Sequence, residues 1–172
     1  YPPPGPPGAL RVLTLNLHTW QEPEAHRKLE EIAVAAAALE IDVLLLQEVG
    51  AHLTDPARPD AGLLLRGHLQ RSTRRPWYIE GRTAHIGFGA FREGLAILSA
   101  VPLTDPEEIV LSGGGLRRIA VAATADVRGR AVRFVSAHLS WEPERAAAES
   151  GRLLAALGDA PERYRAYAGD IN

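Results

Sequence analysis

The chain has 172 residues, 46% of them hydrophobic and 23% charged, with 19 Lys and Arg against 21 Asp and Glu for a formal charge of −2. That size supports one globular unit with a substantial core, and that charge excludes a protein that grips nucleic acid through a broad basic field. Cysteine is absent, which excludes disulfides, thiolate metal sites and thiol nucleophiles.

The first eight residues hold five prolines and two glycines, the composition of an extended tail or linker, here assigned to residues 1–9. Residues 10–17 then read as a strand with Leu13, Leu15 and Leu17 on one face and Thr14 and Asn16 on the other. From Glu24 to Glu40 the pattern turns helical, with Leu29, Ile32, Ala33 and Ala36 on one stripe. Asp42 to Val49 is a continuous apolar run, as expected of a strand covered on both faces. Strand, helix, strand predicts a sheet flanked by helices.

Asp55 to Asp60 carries two prolines and reads as a loop, and Ala61 to Ser72 as a second helix through Leu63, Leu64 and Leu65. Trp77 to Arg92 mixes aromatics, glycines and His85, giving strand and loop near a surface. Short strands follow at Leu95–Leu98 and Glu108–Leu111, with a flexible turn at Gly113–Gly115. Leu116–Val127 and Arg130–Ala137 form a hairpin about Arg128-Gly129. Pro143 opens a helix with Ser150, Leu153, Leu154 and Leu157 as its stripe and Gly158 as its close. Arg165–Ala168 is the last strand. No internal repeat or second domain is visible, and no stretch approaches the roughly 20 apolar residues that span a bilayer. Composition leaves the compartment, cytoplasmic or secreted, open.

Four of these strands end on groups that a buried strand carries badly in its middle. The first leads to Asn16, the second to Gln47-Glu48, the strand from Val132 to His138, and the last to Asp170 and Asn172. Ligands of α/β sheets bind in the crevice beyond such strand ends. Amides, two carboxylates and an imidazole converging there suit a hard cation and a phosphate.

The segments Leu15-Asn16-Leu17-His18, Leu46-Gln47-Glu48-Val49, Glu93-Gly94-Leu95-Ala96-Ile97-Leu98-Ser99, Ser136-Ala137-His138-Leu139 and Gly169-Asp170-Ile171-Asn172 occur in this order. Together they resemble the motifs of the endonuclease/exonuclease/phosphatase superfamily of metal-dependent phosphoesterases, over the whole chain from Leu10 onward. The resemblance implies a layered α/β sandwich over residues 10–172, with two packed mixed β-sheets flanked by helices. It also implies hydrolysis of phosphate esters with Mg2+, or Mn2+ in its place. Leu15 to Glu22 and His138-Leu139-Ser140-Trp141 further resemble bacterial members that act on small phosphorylated molecules or lipid head groups.

On this reading Glu48 anchors the metal, because Mg2+ keeps several waters and needs only one or two carboxylates. Asn16 stands beside it as a ligand or as the group that orients Glu48. Asp170 activates or orients the attacking water, and Asn172, two residues on, shares its side of an extended chain and binds a phosphoryl oxygen or positions Asp170. An Asx turn, with Asp170 and Asn172 satisfying local backbone groups, is the competing account of that pair. His138 donates to a non-bridging phosphate oxygen. One of Arg117 and Arg118 binds substrate, with Arg118 the choice here. His85 and His18 are further contacts, and Trp20 and Trp141 candidates to floor a pocket. The expected partner is a small phosphorylated substrate. A nuclease of the same fold and a non-catalytic module are the alternatives, and no basic run favours the nuclease.

The resemblance departs at one place. The superfamily closes on a strand followed by Ser-Asp-His, and no such segment follows Asn172. The expectation is an N-terminal piece of a longer polypeptide, incomplete at the C-terminus and inactive alone.

Overall fold

The alternation at Leu13, Leu15 and Leu17 and the apolar run from Val43 build a parallel pair. β1 (Val12–Asn16) and β2 (Val43–His52), joined by helix α1 (Ala25–Ala38), run in register from Val12 opposite Val43 to Asn16 opposite Gln47. The computed structural model describes residues 8–18, 25–55, 59–87, 90–114, 116–158 and 164–172. The tail at 1–7 and Trp20 lie outside them.

Helix α2 (Ala61–Thr73) is capped by Asp60, whose carboxylate accepts the Leu63 N–H at 2.9 Å. β3 (Tyr78–Gly87) and β4 (Phe91–Ser99) follow, β4 pairing antiparallel with both β2 and β3 to give the order β1-β2-β4-β3. The second sheet has the order β5-β6-β7-β8, from β5 (Leu103–Ser112), β6 (Arg118–Asp126), β7 (Ala131–His138) and β8 (Tyr164–Asp170). Here β7, helix α3 (Pro143–Gly158) and β8 repeat the opening motif, a parallel pair from Val132 opposite Tyr164 to His138 opposite Asp170. The β6–β7 hairpin closes on Arg128 and Gly129, with φ of 58° and 76°, the left-handed pair that matches strand twist.

The alternating residues divide into three apolar layers. Leu44, Leu46, Ala96 and Leu98 meet Leu29, Ala33 and Ala36 of α1 and Leu65 and Leu69 of α2. Val43, Leu45, Leu95 and Ile97 meet Ile119, Val121, Ala123 and Phe134 between the sheets. Ala120, Ala122, Val135 and Ala137 meet Leu153 and Leu157 of α3. The result is a helix–sheet–sheet–helix sandwich of two mixed sheets, as the sequence predicts. Among the described residues no helix is long and apolar enough to cross a membrane.

Three details differ from the sequence reading. Leu63 and Leu154 face outward, at 51% and 58% exposure, because the buried stripes run Ala61, Leu65, Leu69 and Glu149, Leu153, Leu157. β5 is ten residues long and runs through Pro106. Proline is tolerated there because β5 is an edge strand and its ladder slips register between Thr104 and Glu107. The segment 78–92 is mostly strand, β3 and the start of β4.

Candidate active site

Strict alternation along β2 would send Glu48 toward the helices with Leu44 and Leu46. Instead the ladder shifts register between Leu46 and Val49, Glu48 adopts a φ of 49°, and Val49 takes the helix-side place. This bulge delivers both Gln47 and Glu48 to the face between the sheets. Gln47, 1% exposed, then acts as a tie: its amide donates to Ser136 Oγ of β7 at 2.8 Å and to the Leu45 carbonyl at 3.1 Å. Glu48 continues to the strand ends.

There it meets Asn16. The Asn16 Nδ2 donates to Glu48 Oε1 and to Asp170 Oδ2, both at 2.8 Å, while Asn16 Oδ1 accepts the His18 N–H at 3.0 Å. Its amide nitrogen is thus shared by two carboxylates. His18 Nδ1 adds a contact of 3.0 Å to Glu48 Oε2.

Asp170 is set by its neighbour in sequence. A Cβ on Gly169 would stand 1.9 Å from the Ala137 carbonyl oxygen, so only glycine lets β8 lie this close to β7 just before the carboxylate. The Asn172 backbone N–H donates to Asp170 Oδ1 at 3.1 Å, an Asx turn, and the Asn172 side chain donates to the Leu139 carbonyl at 2.8 Å. Asn172 therefore positions Asp170 through its backbone, and its amide is engaged by the protein. Burial alone would raise the Asp170 pKa, but the hydrogen bonds from Asn16 and Asn172, with the charges of His138 and Arg118, hold it below the usual aspartate value.

His138 ends β7 on the face shared by Val132, Phe134 and Ser136, with Nε2 3.9 Å from Asp170 Oδ2. Arg118 Nη1 lies 3.1 Å from its Nδ1 and 3.2 Å from its Nε2. Burial first, then the Arg118 charge, lowers the His138 pKa, so the ring is neutral at pH 7. Arg118 is itself 6% exposed, its Nε has no hydrogen-bond partner among the described residues, and its guanidinium carbon sits 5.6 Å from the centre of the Trp141 ring. Arg117 is engaged elsewhere, with the Glu108 carboxylate and the Thr83 carbonyl. Of the two arginines, Arg118 is the one at the cleft.

The sequence reading missed Glu93, although it lies inside a quoted motif. His85 and Glu93 face each other across β3 and β4, with Nε2 3.6 Å from Oε1. Burial, then the negative charge of Glu48, pushes the Glu93 carboxyl up to about 7. Burial, then Arg118, lowers the His85 pKa. Glu48, His85, Glu93, Arg118, His138, Trp141 and Asn172 line one cleft of about 290 Å³, with Phe91, Gly87 and Leu116 at its apolar side. Among the described residues no three His, Asp or Glu side chains already surround one cation position. The donor chemistry nevertheless fits a hard cation that keeps its waters, since two carboxylates share one amide and the pKa of a third is raised by burial and then by the charge of Glu48.

Two mixed sheets packed face to face, helices outside both, and polar groups gathered where the parallel pairs end define a layered α/β sandwich. The fold is that of the endonuclease/exonuclease/phosphatase proteins. No sequence-family profile and no curated protein matches the chain. Solved structures do match. An endonuclease/exonuclease/phosphatase family protein from Leptotrichia buccalis superposes with a TM-score of 0.78 and 23% identity over 94% of this chain and 66% of its own. TDP2 of D. rerio, complexed with single strand DNA product, gives 0.71 and 17% over 95% and 60%. A mannosyl-6-phosphatase of Bacteroides thetaiotaomicron gives 0.67 and 14% over 95% and 66%. The chain thus spans between 60% and 66% of the length of these three structures.

Proposed function

We propose that this chain carries the site of a metal-dependent phosphoester hydrolase acting on a small phosphorylated molecule. One observation carries the reading: four strands of two sheets bring together Asn16, whose amide donates to both Glu48 and Asp170, and His138, which lies 3.9 Å from Asp170 and in contact with Arg118. Magnesium or manganese, held by Glu48 as Asn16 orients it, would supply positive charge to a phosphoryl oxygen. Asp170, kept ionised by its two amide donors, orients the attacking water and takes its proton. His138, neutral, donates a ring N–H to an equatorial oxygen, and Arg118 locks that ring in place. The buried Nε of Arg118 is a donor in want of an acceptor such as a phosphate oxygen.

The nuclease reading draws support from the neighbour bound to a DNA product. Against it stand the net charge of −2 and the two carboxylates that line the cleft, Glu48 and Glu93, which disfavour a polyanion. The deciding experiment, run on the polypeptide of full natural length, measures phosphate release from a sugar phosphate, cleavage of a diester dye and nicking of plasmid DNA, each with Mg2+ or EDTA. Metal-dependent turnover of a small ester, lost in Glu48→Gln, is the expected result. Turnover untouched by EDTA or by Glu48→Gln overturns the metal site, and preferential nicking of DNA transfers the assignment to a nuclease.

A further inference from the structure

We propose that Trp141, with Leu116 lining the same cleft, is a platform for a flat aromatic leaving group, so that the substrate is an aryl or heteroaryl phosphate ester. The inference rests on the hydrolase reading and names its substrate class.

The argument begins with how Trp141 is held. An indole 59% exposed on a short turn has every reason to move, yet this turn is clamped. The preceding Ser140 donates both its backbone N–H, at 2.7 Å, and its Oγ, at 2.8 Å, to the carboxylate of Glu149 on α3. Glu149 is 1% exposed, and the same carboxylate accepts Ser112 Oγ from the end of β5. Burial would raise the Glu149 pKa, but these hydroxyl and amide donors hold it low, so the clamp is ionic and permanent at neutral pH. On the other side, the Arg118 guanidinium lies against the indole while contacting His138. The ring is therefore fixed relative to the reacting end of the cleft from two directions.

The rest of the rim decides what the ring receives. Among the described residues, Leu116, 40% exposed, Phe91 and Gly87 also line the cleft. None carries a hydrogen-bonding side chain. The polar lining residues are Glu48, His85, Glu93, Arg118, His138 and Asn172. Against these apolar groups a planar ring stacks across its face, whereas a sugar's hydroxyls gain no side-chain partner from them. A cleft of about 290 Å³ has room for a phosphate and one ring system, near the lower limit for small-ligand sites.

The test separates binding from turnover. Calorimetric titration with Mg2+ present compares phenylphosphonate, methylphosphonate and glucose 6-phosphate on the wild type, Trp141→Ala and Trp141→Phe. Steady-state assays, like the titrations made on the polypeptide of full natural length, compare phenyl phosphate with glucose 6-phosphate. The expected result is phenylphosphonate binding at least tenfold tighter than methylphosphonate, a preference that falls to twofold or less in Trp141→Ala and is largely kept in Trp141→Phe. Equal binding of the two phosphonates, no detectable binding of phenylphosphonate, tighter binding of the sugar phosphate, or an aryl preference that survives Trp141→Ala each overturns the platform. Failure of the hydrolase reading looks different: no ester is turned over, while the Trp141-dependent binding preference persists.

Discussion

Asn16 and Asp170 stand 154 residues apart in the chain, yet the amide of one donates to the carboxylate of the other at 2.8 Å. Each lies at the end of an outer strand, β1 in one sheet and β8 in the other, so this bond closes the sandwich at the site end. The same Nδ2 also reaches Glu48. One amide thus keeps two carboxylates at a fixed separation.

Removing that amide tests its importance. Asn16→Ala is expected to cost about 1 kcal/mol of stability, since the abandoned carboxylates are part-exposed and water recovers much of the loss. Turnover should fall by roughly 10²-fold, because misorientation acts on the chemical step. Asn16→Asp should be worse at neutral pH, as it sets a third negative charge between the other two. Urea melts and kcat for the two variants, measured side by side, decide the order.

Asp170→Asn keeps shape and removes the base. The expected outcome is a fall in kcat of about 10²–10⁴-fold with KM within a few-fold of the parent. A KM effect that dominates would recast Asp170 as a substrate-binding group.

The pH dependence of stability carries two opposite signs. Glu93 has a folded pKa near 7, above its unfolded value, so the folded state holds the extra proton between about 4.5 and 7. Its burial is therefore tolerated at low pH and becomes a penalty as pH rises through 7. Glu93→Gln should stabilise the metal-free protein at pH 8 by on the order of 1–3 kcal/mol, and change little at pH 4.5. Adding Mg2+ should stabilise the wild type at pH 8 more than the variant. Urea midpoints at both pH values, with EDTA and with Mg2+, provide the check.

Glu149 has the other sign. Its folded pKa lies below the unfolded one, so its contribution is complete above about pH 4.5 and is lost as pH falls through the folded value. Glu149→Ala leaves the Ser140 N–H and two hydroxyls without their acceptor in a buried site, for an expected loss of about 2–4 kcal/mol at pH 7. The penalty should shrink on acidification, which a series of thermal melts from pH 7 to pH 3 would reveal.

Much of this was legible in the residues. Leu13, Leu15 and Leu17 and the stripe Leu29, Ala33, Ala36 announce their burial by period alone, and the polar strand ends announce the cleft. What was hidden is non-periodic. Alternation from Leu44 and Leu46 sends Glu48 to the wrong face, and only the two-sheet geometry reveals the bulge that corrects it. Glu93 hides within an apolar strand and is identified only by its cross-strand partner, His85. Ser150 looked a better core neighbour than Glu149, because a carboxylate is expected outside until three donors are seen around it. The spacing from Asp170 suggests that Asn172 binds a phosphoryl oxygen or positions Asp170; its backbone N–H does the second, while its side chain donates to the Leu139 carbonyl, which no local pattern foretells.

The left-handed backbone at Glu48 has one more outcome. A residue with a Cβ held at φ 49° costs roughly 1–3 kcal/mol, and glycine at this position would recover much of it. Thermal tolerance and chemistry thus compete for a single position. A library screened only for heat resistance should enrich glycine at 48 and return sturdy, inert molecules, whereas a screen for turnover should hold the carboxylate despite its conformational burden.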